Sequence, residues 1–322
     1  MKTKVIAAIM VMLFLVSMTA IAFPASAIPT KRRVPQDYVT IQAAINHANP
    51  GDTIEVHKGT YPETVTIQSD DHDLKLKGEG NPIIMDKPGG SLLYGIDIRG
   101  GAYNIEISGF EIKGFDEVDD AGIYGRRGIL MSNIVIHHNI IHDNYNGVDI
   151  GAASGLFPPG HSKLRISHNE IYMNLNIGIY LLRVSDSTID HNEIYQNTVG
   201  ISLRIASAST IGHNKIFSNH RFGMRWVYVD HTKASYNKLE GNDKDGFRIV
   251  GTNTGNTIEH NKVLNNTGNG IHLMDNTKHN YLGYNHALGN GDGVSTRDIR
   301  CENGVGPNEW KKNKYETTTA LL

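Results

Sequence analysis

Asp149, Tyr180, Ser202, Arg225, Arg248, His272 and Ser295 occupy one recurring place in the chain, each two residues beyond a glycine of the repeat. Tyr124 and Asp97 continue the series backward, and a neighbouring place adds Arg183, Arg204 and Asp275. The segment Trp226 to His231 brings Tyr228 and Asp230 alongside. Arginine pairs with carboxylate or sulfate, and aromatic rings pack on sugar faces, so such a row suits an acidic polysaccharide. The alternatives are a non-catalytic glycan-binding or cell-envelope structural protein, and a polar face that merely keeps the protein soluble. Catalysis on a uronic acid would begin by removing the proton next to its carboxylate. Arg225 and Arg248 would neutralise that carboxylate, and Tyr180 or His272 would exchange the proton. Elimination would then make a lyase, and return of the proton to the other face an epimerase. Tyr180 and His272 fall several repeats apart, so at most one could serve alongside these arginines. Substrate contacts are expected from Tyr124, Asp149, Arg183, Ser202, Arg204, Trp226 and Tyr228.

The row has meaning only if the repeat is structural. Asn139, Asn169, Asn192, Asn214, Asn237, Asn261 and Asn285 each stand five residues before a second asparagine, Asn144, Asn174, Asn197, Asn219, Asn242, Asn266 and Asn290. A glycine follows three or four residues later (Gly147, Gly178, Gly200, Gly223, Gly246, Gly270, Gly293). The pattern reads I-x-x-N-x-I-x-x-N and then G-I-x-L, as in Ile189 to Leu203. Short apolar strands with marked turns at this period describe one coil of a β-solenoid. Equivalent asparagines of adjacent coils would then lie about 4.8 Å apart and form a hydrogen-bonded ladder.

These motifs resemble the right-handed parallel β-helix superfamily of pectin-lyase type, from about Ile105 to Asn290. The opening Thr40-Ile-Gln-Ala-Ala-Ile, Pro50-Gly-Asp-Thr-Ile and Gly59-Thr-Tyr61 resembles the N-terminal cap and first coil of its exported members. The resemblance implies an all-β, single-stranded right-handed parallel β-helix with an N-terminal amphipathic capping helix. That scaffold carries lyases, epimerases, hydrolases, adhesins and metal-delivery proteins, so it leaves activity open. Polygalacturonase signatures are incomplete: Gly212-His213 is followed by Asn214, and Arg248-Ile249 by Val250. Hydrolysis would need a carboxylate pair, and Asp149 with Asp97 is the only one in the row. Asp70-Asp71-His72-Asp73 is similar to an acidic-histidine motif of alginate epimerases but has Asp71 in place of proline, and it reads as a solvated turn.

Asp116, Glu117, Asp119 and Asp120 interrupt the repeat and could hold Ca2+, the cation with which β-helix lyases bridge substrate carboxylates. His138, His168, His191, His213, Tyr236, His260 and Tyr284 form a second row, each just before a ladder asparagine. It reads as filling of the turn corner; the alternative is a copper track like that of nitrous-oxide-reductase accessory proteins of this fold. The insertion Gly151 to His161 could supply a groove wall through Phe157.

Residues 1–27 have Lys2 and Lys4, an apolar run and Ala25-Ser26-Ala27, the pattern of a secretory signal peptide. An exported protein without a remaining membrane span is expected, secreted, periplasmic or at the cell surface. Residues 28–322 would be one domain: cap helix 34–50, coils 51–300, and a C-terminal cap and tail 301–322 in which Trp310 covers the last apolar layer. The formal net charge of −2 argues against nucleic acid as partner. The single cysteine, Cys301, rules out an internal disulfide, and a monomer is expected.

Overall fold

Every strand pairing among the described residues is parallel, and every partner is the equivalent strand one coil away. The computed structural model describes residues 29–318 except 70, 88, 91, 126, 127, 129, 152–159, 293, 303 and 304. The expected leader and Phe157 therefore lie outside the described residues. One coil contains the strands Thr188–Asp190, Glu193–Tyr195 and Val199–Ser207, and the next repeats them as Thr210–Gly212, Lys215–Phe217 and Phe222–Asp230. Side chains alternate in and out along each strand. The inward positions stack like with like: Ile171, Ile194, Ile216, Leu239, Val263 and Ala287 on the middle strands of successive coils. A second inward file is Ile179, Ile201, Met224, Phe247, Ile271 and Ile299. All of these side chains are buried in one continuous apolar core.

The corners explain the asparagines. His138, His168, His191, His213, Tyr236, His260 and Tyr284 have φ between 54° and 58°, the left-handed region, which turns the chain sharply. A turn of this kind leaves backbone groups inside the coil without strand partners, and the following asparagine satisfies them. Asn169 shows the pattern: its Nδ2 donates to the Ile136 carbonyl at 2.9 Å and to Asn192 Oδ1 at 3.0 Å. Its backbone N–H also donates to Asn192 Oδ1, at 3.0 Å. The ladder runs on to Asn313, and the parallel one ends on Asp298, whose Oδ1 takes over from Asn290 at 3.0 Å. The glycine after the second ladder is needed for close approach. A Cβ at Gly200 would stand 2.5 Å from the Gly223 carbonyl oxygen and 2.6 Å from Ile216 Cγ2.

The chain enters differently from expectation. In place of a helix over 34–50, Lys31–Val34 is a strand paired with Thr53–His57, and the helix is confined to Ile41–Ile45. Thr40 sets its start by accepting from the Ala43 N–H, and Ile41, Ala44 and Ile45 are buried against the core. At the other end coil pairing continues past residue 300. Ile299–Cys301 pairs with Ile271–Leu273, and Glu309–Lys311 with Tyr281–Gly283, which sets Trp310 beside Leu282. Burial pushes the Cys301 thiol up to about 11, so it is an inert neutral side chain. Among the described residues no helix is long and apolar enough to cross a membrane.

Candidate polyanion groove on one sheet face

The row of chemical residues is a true column. Asp97, Tyr124, Asp149, Tyr180, Ser202, Arg225, Arg248 and His272 are register partners on consecutive coils. The next member is Arg300, in place of the expected Ser295. Ser295 sits instead in an exposed turn folded around Asp292. That turn lengthens the last coil, so counting on from the final glycine stops too early.

The column divides into three parts. At the N-terminal end Asp97 and Asp149 are buried, at 2% and 5% exposure, with Tyr124 between them in the register. The Tyr124 ring stacks on Tyr94, centroids 4.1 Å apart. Arg99 Nε lies 3.5 Å from the Asp97 carboxylate, and Asn146 donates to Asp149 at 3.3 Å. Half-buried Tyr180 and the covered Ser202 occupy the middle. Cations fill the C-terminal part. Arg225 projects outward between the buried Met224 and Trp226 and is exposed. Among the described residues its guanidinium forms neither a hydrogen bond nor an ion pair. Partial burial, then Arg248, Arg221 and Arg204, all disfavour its charge.

Arg248 and His272 are organised by two residues that sequence reasoning missed. The Asp245 carboxylate accepts from Arg248 Nη1 at 3.0 Å, from His272 Nδ1 at 2.9 Å and from the Asn269 backbone and side-chain N–H groups, both at 2.8 Å. It is 4% exposed, and these donors hold it below the usual carboxylate range despite burial. On the other side His272 Nε2 is 2.9 Å from Glu302 Oε1. His272 is thus clamped between two carboxylates, one at each ring nitrogen, which fixes the ring and leaves neither nitrogen free to face a substrate. The Phe222 ring adds a support, with Arg221 Cζ at 5.2 Å and Arg248 Cζ at 5.0 Å from its centroid. The one sequence signal for Asp245 was its place directly before the repeat glycine Gly246, where the next coil has Asn269.

Other expected contacts fall elsewhere. Trp226 is a correction: it is fully buried and meets Phe247 edge-on at 4.9 Å, so it belongs to the core and not to the outer face. Arg204 is outward and exposed, two residues past Ser202 on the same strand. Arg183 and Tyr228 lie at the following bend, with φ of 55° and 57°, and Tyr228 is 49% exposed there. Tyr180 and His272 are four coils apart, about 19 Å along the axis at the usual strand spacing. They form a row, not a converging pocket.

Asp116, Glu117 and Asp119 are exposed while Asp120 is buried, and among the described residues no three such donors gather as metal ligands. Burial and the nearby Asp86, Glu117 and Asp116 push the Asp120 carboxyl up to about 6. The histidine row stacks face to face, His138 on His168 and His168 on His191 at 5.0 Å, His191 on His213 at 4.9 Å, planes within 9°. Parallel rings point their nitrogens side by side, so they do not converge on one ion. His72 stacks on Tyr103 at 4.8 Å in an early turn, away from the column.

A family model for the right handed beta helix region matches residues 90–227 and 151–287, more than half of the chain. The chain belongs to the right-handed β-helix family. No curated protein sequence matches it. Solved structures share the fold of this β-helix at low identity. The mannuronan C-5 epimerase AlgE4 A-module of Azotobacter vinelandii has TM-score 0.55 and 14% identity, over 88% of this chain and 95% of that one. Pectate lyase Pel9A has TM-score 0.55 and 16% identity, over 87% and 72%. A mutant of the periplasmic alginate epimerase AlgG has TM-score 0.53 and 14% identity, over 88% and 85%.

Proposed function

We propose that this β-helix is an exported protein that binds an acidic, uronate-containing polysaccharide along the column from Tyr124 to Arg248. One observation carries the reading: Arg225 is exposed, without a hydrogen-bond or ion-pair partner among the described residues, and flanked by three further arginines. Guanidiniums so crowded repel one another, and a bound carboxylate relieves that repulsion while matching their fork geometry. The epimerases and the pectate lyase of the same fold are named for polysaccharide substrates, which agrees with this use of the face. The leader pattern of residues 1–27 supports a place outside the cytoplasm.

A second reading is supported by Tyr180. It stands two coils from Arg225 in the same outward column, so a uronate held on Arg225 would have a phenol within about two strand spacings for proton exchange. Lyase or C5-epimerase chemistry would follow.

Electrophoresis through gels containing alginate or polygalacturonate tests the binding. Retardation is expected, weakened by about tenfold in apparent affinity in Arg225→Gln through loss of a charge-assisted contact. Absence of retardation by any acidic glycan at low salt overturns the proposal. New ultraviolet absorbance from unsaturated uronate, or inverted C5 stereochemistry by NMR, would place Tyr180 in catalysis, and the variant Tyr180→Phe should abolish either.

A further inference from the structure

We propose that the polymer taken by this face carries more than one anionic group per sugar, as a sulfated uronan does. The inference rests on the polysaccharide reading above. A polymer with one carboxylate on each sugar would be answered by about one guanidinium per coil. Here three consecutive coils supply four: Arg204 from Val199–Ser207, Arg221 and Arg225 from the next turn and its strand Phe222–Asp230, and Arg248 from Phe247–Val250.

Geometry holds them together. Arg225 and Arg248 are direct register partners, about 4.8 Å apart along the axis. Arg221 and Arg248 share the Phe222 ring, and Arg204 lies one coil before Arg225 and two residues further along. Only Arg248 has a carboxylate partner among the described residues, Asp245. The nearby Asp243 is turned to His220, whose Nδ1 is 3.6 Å from it. Three positive charges on two adjacent coils, Arg204, Arg221 and Arg225, are therefore left without a carboxylate partner among the described residues, and the neighbouring arginines disfavour the charge of Arg225. A sulfate beside a carboxylate supplies the two anions and the several acceptor oxygens that three guanidinium forks can use.

Isothermal titration of the protein against size-matched oligosaccharides tests this. The panel is a uronan that bears a sulfate beside the carboxylate on each sugar (sulfated polygalacturonate), the parent polygalacturonate with one carboxylate per sugar, and dextran sulfate, which has sulfates but no carboxylates. The sulfated uronan should bind at least about tenfold more tightly than polygalacturonate in the same salt. The double variant Arg204→Gln, Arg221→Gln, altered only at exposed side chains, should lower affinity for the sulfated uronan by about tenfold more than it lowers affinity for polygalacturonate. Equal affinity for sulfated and unsulfated polygalacturonate overturns this inference and leaves the polysaccharide reading standing. No binding to any of the three overturns both. Dextran sulfate binding as tightly as sulfated polygalacturonate, unchanged in the double variant, marks unspecific ion exchange and also overturns it.

Discussion

Replacing Asn214 by alanine tests what holds the coils together. Asn214 is 1% exposed, and its side chain serves two neighbours at once. Its Nδ2 donates to the Ile189 carbonyl at 2.9 Å, to the Gly212 carbonyl at 3.0 Å and to Asn237 Oδ1 at 3.0 Å. Its Oδ1 accepts from the backbone N–H and the side-chain Nδ2 of Asn192, both at 3.0 Å. Alanine leaves the Asn192 N–H and the Ile189 carbonyl buried without these partners, at about 1–3 kcal/mol each. The small void adds to this, so Asn214→Ala should lose about 3–5 kcal/mol. Urea unfolding followed by far-ultraviolet circular dichroism, with linear extrapolation, measures the difference. Glu193→Ala is the comparison: its 2.6 Å pair with Lys215 is between side chains 45% and 52% exposed, and its removal should cost under about 1 kcal/mol. If Asn214→Ala costs no more than Glu193→Ala, the ladder is not what stabilises the corners.

Trp226→Ala should cost about 3–5 kcal/mol, the usual price of emptying a large core site, and glycan retardation should weaken only as the fold does. A small stability loss with selective loss of binding would return Trp226 to the groove. Asp120 predicts a pH dependence of defined sign. Its carboxyl is near 6 when folded and near the ordinary value of about 3.9 when unfolded, so between these the folded state holds a proton that the unfolded chain has released. Stability then falls as pH rises from about 4 to about 6, and Asp120→Asn should raise the melting temperature at neutral pH while changing it little at pH near 4. A variant less stable at neutral pH would contradict this.

Much of the scaffold was legible because the asparagines mark coils by a fixed physical job. Each follows a left-handed corner, so counting from it located Asp97 through His272 in the register they occupy. The count failed at the last coil, where Asp298 takes the ladder station without an asparagine to announce it and Arg300 follows. Trp226 was misplaced by proximity to Arg225. Strand alternation in Phe222–Asp230 places adjacent residues on opposite faces, so an outward Arg225 requires an inward Trp226. Asp245 and Glu302 escaped notice because they lie off the column and reach it by side-chain hydrogen bonds, which no repeat spacing encodes. The helix was overextended because apolar spacing through residues 41–48 ignored that Val34 is a strand residue facing Val56.

The most direct measurement of the central claim is a crystal structure of the protein with a bound uronate oligosaccharide. The sugars should lie along the outward column between Tyr124 and Arg248, with a carboxylate within hydrogen-bond distance of the Arg225 guanidinium. An oligosaccharide seated on the ten-stranded sheet instead, with Arg225 left in solvent, would contradict it.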